Sequence, residues 1–263
     1  MIRLSCATLS FDGFGNENFR NTFASVNEAG YGHLEFNCWY PQTLTARTMA
    51  DLKSRCERAG VSPGSLHVSS FGGEGHHDVT KDFCHKMRAV DAAVELGCSM
   101  ISATGAKRGT QGGLDEIIEV LGELMPYAES RGVSVSLENH VGNNLENIED
   151  YERIFERVAS ERLGVCMDTG HFDAAGVSLD ELVDRVGSKI NHIHLKENRG
   201  FGTKEFVKFG DGTTENVRIV ERMIAQGYSG YLVVEVSPEI GGETIGVEDL
   251  RKPYEMFRGY ERE

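Results

Sequence analysis

The stretch LGVCMDTGHFDAAGVSLDELVDRVGSKINHIHL, residues 163–195, decides the fold. It opens and closes on short apolar runs of strand length, LGVCMD and INHIHL. Between them SLDELVDRVG carries helical periodicity and ends in Gly, a common helix stop. This is one β/α repeat, and the same unit recurs on both sides of it. Strands are predicted over 3–8, 32–37, 65–70, 99–104, 133–138, 163–168, 190–195 and 231–236. Their starts fall roughly 27–41 residues apart, the length of a βα unit. Helical patterns separate them, as in TMADLKSRCERAG, DFCHKMRAVDAAVELG and ENVRIVERMIAQG. Eight such units predict an α/β fold, a closed (β/α)8 TIM barrel. An open dinucleotide-binding sheet would need GxGxxG after the first strand, and SFDGFGNEN has the wrong spacing.

The 263 residues fit one barrel of about 250 residues, so 1–263 reads as a single domain without linker or low-complexity segment. The longest loop, 197–213, lies in the last repeat and is expected to be functional or mobile. A net charge of −14 repels phosphate backbones and anionic membranes, which argues against nucleic-acid or membrane partners. The six cysteines show no CxxC pair, and Cys6, Cys98 and Cys166 lie in apolar runs. They read as free thiols in a reducing compartment. The N-terminal MIRLSCATLSFDG does not read as a signal peptide, so a cytoplasmic location is expected.

In a barrel the C-terminal ends of the strands converge on one face. Here they carry Glu35, His67, Glu138, Asp168, His194 and Glu235, with His171 just after strand 6. Two unit charges ~4 Å apart repel by ~4 kcal/mol at an effective dielectric near 20. Three carboxylates from strands 5, 6 and 8 therefore call for a cation. Glu138, Asp168, Glu235 and the imidazole of His194 make a ligand set for one divalent ion. Hard or borderline Mn²⁺, Mg²⁺ or Co²⁺ suits it, Mn²⁺ first, and Zn²⁺ is possible. His192 faces the same side as His194, one pleat lower, and reads as a packed or hydrogen-bonded histidine.

The runs SLENH (136–140), CMDTGH (166–171), HIHLKENR (192–199), GDG (210–212) and VVEV (233–236) resemble the xylose-isomerase-like barrels, the sugar isomerase/epimerase superfamily. The match in order and spacing covers the second half of the chain. The resemblance implies Glu138, Asp168, His194 and Glu235 as metal ligands, with Glu138 and Glu235 also moving protons. It implies His171 and Arg199 as substrate-binding residues. Arg199 sits one residue closer to its histidine than in the ketose 3-epimerases, and Asn144 stands where they place a substrate-contacting glutamate. Glu35 and His67 join the expected substrate-binding set as strand-end residues.

The expected activity is isomerisation or epimerisation of a small keto-sugar or polyol-derived ketone through a metal-bound enediolate. The alternative is dehydration of a keto-inositol or dehydroshikimate-like substrate, with His67 or His171 as the acid. An abasic-site endonuclease would need a histidine ending strand 4, where Ser102 and Thr104 stand. A non-catalytic sugar-binding barrel would not need four ligands. A homo-oligomer is possible. Three further features draw the eye: His76, His77 and Asp78 in a Gly-rich loop, Trp39 and Tyr40 after strand 2, and KRGTQGG (107–113) after strand 4. The first reads as a solvated or lid loop, the second as a sugar-stacking or loop-packing pair, and the third as a weak phosphate site.

Overall fold

A computed structural model of the chain describes residues 1–72, 78–238, 240 and 244–262. His76 and His77 lie outside the described residues. Eight parallel strands close into a barrel in chain order, the last pairing with the first. They are β1 Ile2–Ala7, β2 His33–Cys38, β3 Ser62–Val68, β4 Met100–Thr104, β5 Ser134–Glu138, β6 Leu163–Asp168, β7 Ile190–Leu195 and β8 Gly230–Val234. The predicted (β/α)8 TIM barrel is the fold observed, and each strand overlaps its predicted run.

The helices are α1 Leu9–Asp12, α2 Arg20–Ala29, α3 Ala46–Ala59, α4 Val79–Leu96, α5 Gly113–Ser130, α6 Ile148–Arg157, α7 Thr169–Ala174, α8 Leu179–Val186, α9 Asn216–Ala225 and α10 Val247–Phe257. Most begin and end where local chemistry dictates. Thr45 caps α3 by accepting the Thr48 N–H, and Gly60 ends it in the left-handed region at φ 69°. Ser178 caps α8 in the same way. The short α7 has no periodic signal, and it exists because the Asp168 carboxylate accepts the His171 N–H at its start.

The apolar core lies between strands and helices. Leu34, Phe36 and Cys38 of β2 face outward into it and are fully buried. The intervening residues point into the barrel, where the lining is polar: Ser5, Glu35, Ser65, Ser102, Ser136 and His192 are all fully buried. A buried polar layer persists only where its members satisfy one another. Here Glu35 accepts from Ser65 Oγ (2.7 Å) and pairs with His192 Nε2 (2.8 Å). All six cysteines are free thiols, five of them buried. No helix among the described residues is long and apolar enough to cross a membrane.

Candidate active site and metal centre

At the C-terminal ends of the strands, Glu138 of β5, Asp168 of β6, His194 of β7 and Glu235 just past β8 converge. One donor atom from each lies within 4.8 Å of all the others. Parallel pairing places Asp168 directly beside His194. His194 Nδ1 faces the carboxylates, 2.7 Å from Glu138 Oε1 and 3.5 Å from Glu235 Oε2. Asp168 Oδ1 is taken by the His171 N–H at 2.8 Å, which leaves Oδ2 turned to the cluster.

A fifth group completes the arrangement. Lys196 Nζ is buried 3.2 Å from Asp168 Oδ2 and in close contact with Glu235 Oε1. Its stem runs over Gly170, where a Cβ would sit 2.7 Å from Lys196 Cγ, so a larger residue there would displace it. The carboxylates raise the affinity of Lys196 for its proton even against burial, so it is a fixed cation.

The donor set fits a divalent ion. Three carboxylates and one ammonium leave a net charge of −2, which one such ion cancels. Burial drives the Asp168 carboxyl up from an ordinary value of 3.8 to about 6, and Glu235 and Glu138 add to it against the Lys196 cation. The site is short of positive charge where it would hold the ion. Glu138, Asp168, Glu235 and His194 Nδ1 would be its ligands.

Two residues hold the candidate ligands from the opposite side of the barrel. Glu35 Oε1 lies 2.9 Å from His194 Nε2, the nitrogen turned away from the cluster. Burial disfavours the Glu35 anion, but His194 and His192 outweigh it and hold the carboxyl well below its usual range. His67 Nε2 lies 2.7 Å from Glu138 Oε2, and His67 Nδ1 accepts the Trp39 indole N–H at 2.7 Å. Burial disfavours charge on His67, and the neighbouring Glu138 overrides it and raises the proton affinity of the ring.

Above the cluster opens a cavity of about 660 Å³. That volume suits a small organic ligand. Leu9, Phe14, Trp39 and Tyr40 form an apolar wall, and His140, His171, Lys204 and Phe206 contribute to the cationic and aromatic lining. His171 and His140 stack with ring centroids 4.0 Å apart. Burial, with Lys196 and His140 nearby, pushes His171 well below the ordinary histidine range, so it is neutral. His171 Nδ1 is buried with no hydrogen-bond partner in the protein. Of the four candidate ligands, only Glu138 and Glu235 border the cavity. Asp168 and His194 are fully buried beneath them.

The expected site residues thus fall into three groups. Glu138, Asp168, His194, Glu235, His67 and His171 come together. Glu35 lies below them rather than on the cavity wall: β2 runs on to Cys38, so Glu35 is one pleat deeper than a strand-end residue. Arg199 is not brought to the cavity. Its side chain is 55% exposed and its Nε pairs with Glu205 Oε1 at 2.6 Å. The loop it opens turns Lys204 and Phe206 inward instead. Sequence reasoning assigned no role to Lys196, although its place two residues after His194 puts it on the same side of the chain. Trp39 lies on the cavity wall, as its place after strand 2 suggested, and its hydrogen bond to His67 is additional.

With this geometry in place, the chain was compared with known proteins. The family model for the xylose isomerase-like TIM barrel matches residues 23–256. The chain belongs to that family. Among curated relatives, an inosose dehydratase of Mesomycoplasma hyopneumoniae (strain 7448) is 26% identical over 251 residues, spanning 86% of this chain and 83% of that protein. Among solved structures, a D-tagatose 3-epimerase-like protein superposes with a TM-score of 0.78 at 20% identity, over 98% of this chain and 96% of the other. The IolI protein, solved with a bound zinc atom, superposes with a TM-score of 0.77 at 22% identity, over 99% of this chain and all of that one (100%).

Proposed function

We propose that this protein is a divalent-metal-dependent isomerase or epimerase of a small keto-sugar or polyol-derived ketone, working by removal and return of a proton beside the carbonyl. The observation that carries this reading is the division among the four ligands. Only Glu138 and Glu235 border the cavity, so only they can reach a substrate carbon. Asp168 and His194, buried beneath them, would serve the ion as ligands without reaching the substrate.

The ion, for which we propose Mn²⁺, supplies positive charge to the substrate oxygens beside the reacting carbon. Glu138 and Glu235 come from β5 and from the end of β8, on different sides of the barrel mouth. One can take the proton and the other return it, which inverts the carbon, or one can carry it to the neighbouring carbon, which isomerises the sugar. The Lys196 ammonium beside Glu235 adds a fixed positive charge where negative charge develops. His171, on the cavity wall, can meet a substrate hydroxyl with its ring. The apolar wall with Trp39 covers the carbon face of a sugar. The free thiols support a cytoplasmic setting.

A second reading is dehydration, in which the same proton abstraction is followed by loss of a β-hydroxyl. The name of the curated relative, inosose dehydratase, favours it. Proton NMR in D₂O separates the two. The Mn²⁺-loaded protein is incubated with ketoses, aldoses, inososes and dehydroshikimate, and the metal is removed before spectra are taken. Deuterium beside the carbonyl with a new stereoisomer or aldose supports the first reading. A new alkene or deoxy-ketone moves the assignment to a dehydratase. No change with any substrate refutes both for this panel.

A further inference from the structure

Trp39, His67 and Glu138 form a chain of hydrogen bonds from the cavity wall to a metal ligand. Trp39 Nε1 is 2.7 Å from His67 Nδ1, and His67 Nε2 is 2.7 Å from Glu138 Oε2. The rings of Trp39 and His67 meet edge to face, with an interplanar angle of 80°. The His67 side chain is only 8% exposed, so water does not readily replace either partner.

The direction of this chain follows from the chemistry of its first member. An indole N–H donates and never accepts. His67 Nδ1 must therefore present its lone pair to Trp39, and the single proton of the neutral ring sits on Nε2. That proton is donated to Glu138 Oε2. The negative charge of Glu138 favours a second proton on the ring, but it would have to enter at Nδ1, where the indole proton already points. An ion sharing Glu138 weakens that pull further.

We propose that Trp39 is a positioning residue: it locks His67 as the Nε2–H tautomer, so that His67 holds Glu138 by a fixed hydrogen bond and transfers no proton during turnover. This rests on the reading of Glu138 as ligand and proton carrier. It narrows that reading, because a dehydration drawing its acid from this corner of the cavity would need His67 to give up a proton. It also divides the labour of one carboxylate: Oε2 is held by His67, while Oε1 faces His194 and the cluster.

The first test needs no substrate. Protein labelled with ¹⁵N-histidine is studied by long-range ¹H–¹⁵N correlation at pH 7, with and without Mg²⁺, and His67 is assigned by its loss in His67→Gln. The expected pattern is one protonated ring nitrogen, Nε2, and one bare nitrogen, Nδ1. In Trp39→Phe it should change to a mixture of tautomers or to the imidazolium. A wild-type His67 with both nitrogens protonated, or a tautomer unaltered in Trp39→Phe, overturns the proposal. The second test compares deuterium exchange into a turned-over ketone. His67→Gln keeps an N–H donor and should retain at least a tenth of wild-type exchange, whereas His67→Leu should lose at least tenfold more. Equal loss in both would mean that His67 moves protons, and the proposal fails. If wild type exchanges no ketone, the functional reading falls while the tautomer test still decides this one.

Discussion

The two halves of the barrel do different work at the same site. Strands β5 to β8 end in the residues that would hold an ion: Glu138, Asp168, His194 and, just past the last strand, Glu235. Strands β2 and β3 carry residues that touch those candidate ligands from behind or from the side. Glu35 takes the far nitrogen of His194 and His67 takes the far oxygen of Glu138. One half offers donors and the other fixes their orientation. A metal site gains from both, since a partner on the far nitrogen orients a ligating imidazole.

The widest expected contrast lies within the ligand half. Glu235→Gln keeps an oxygen in place but removes the carboxylate that we propose takes or returns the proton. Turnover, read as deuterium exchange in D₂O, should fall by about 10³-fold, within the range for loss of a general base. Circular dichroism should be unchanged. Near-normal exchange would erase the distinction between the two cavity-facing glutamates and the two buried ligands.

Glu35→Gln probes the supporting half. The amide can still bond to His194, but it removes the negative charge that orders both imidazoles. Mn²⁺ affinity by titration calorimetry should weaken about 10–100-fold, the usual cost of losing a partner of a ligating histidine. Unchanged affinity would mean that the β2 half contributes packing alone.

The same division explains what the sequence reveals. The ligand half was legible because each donor ends an apolar run at the spacing of the βα repeat, so strand position alone placed Glu138, Asp168, His194 and Glu235. The supporting half was legible only in its rhythm. Glu35 lies beneath the cavity because β2 runs three residues past it, to Cys38. One pleat of depth turns an expected substrate contact into a buried partner of His194. His67 was placed at the right strand end, but its link to Trp39 joins β3 to the loop after β2 and leaves no local signal. Lys196 shows the opposite case. Its signal lies in the alternation of HIHLK, and only the geometry gives it a charge to balance.

The pH dependence of ion binding tests the electrostatics of the ligand half. Asp168 must be ionised to bind, and burial has raised its carboxyl to about 6. The sign follows directly. Above pH 6 the Asp168 carboxylate is present, and only His194, whose proton affinity is also raised, lets Mn²⁺ affinity climb with pH. Below pH 6 the ion must displace the Asp168 proton as well, and the fall in affinity should steepen by about tenfold per pH unit. A carboxyl at its ordinary value of 3.8 would show no such break until about pH 4. A profile without a break between pH 6 and 4 would show that Asp168 is not in the buried, charge-crowded setting described.

The smallest effect is expected where the resemblance to ketose 3-epimerases and the geometry part company. Arg199 and Glu205 are 55% and 59% exposed, so their ion pair is screened by water and worth no more than about 1 kcal/mol. The loop between them is closed by backbone bonds, Arg199 N–H to Glu205 O at 2.9 Å and Thr203 N–H to Gly200 O at 3.0 Å, which do not depend on the guanidinium. Arg199→Ala should therefore leave kcat/KM within about twofold of wild type, a change of about 0.4 kcal/mol or less in transition-state binding. Lys204→Ala, one residue before Glu205 but lining the cavity, should cost more. A tenfold loss from Arg199→Ala would reverse that order. It would mean that the loop carrying Lys204 and Phe206 swings over bound substrate and brings Arg199 with it, so that a third region joins the donors and their supports during turnover.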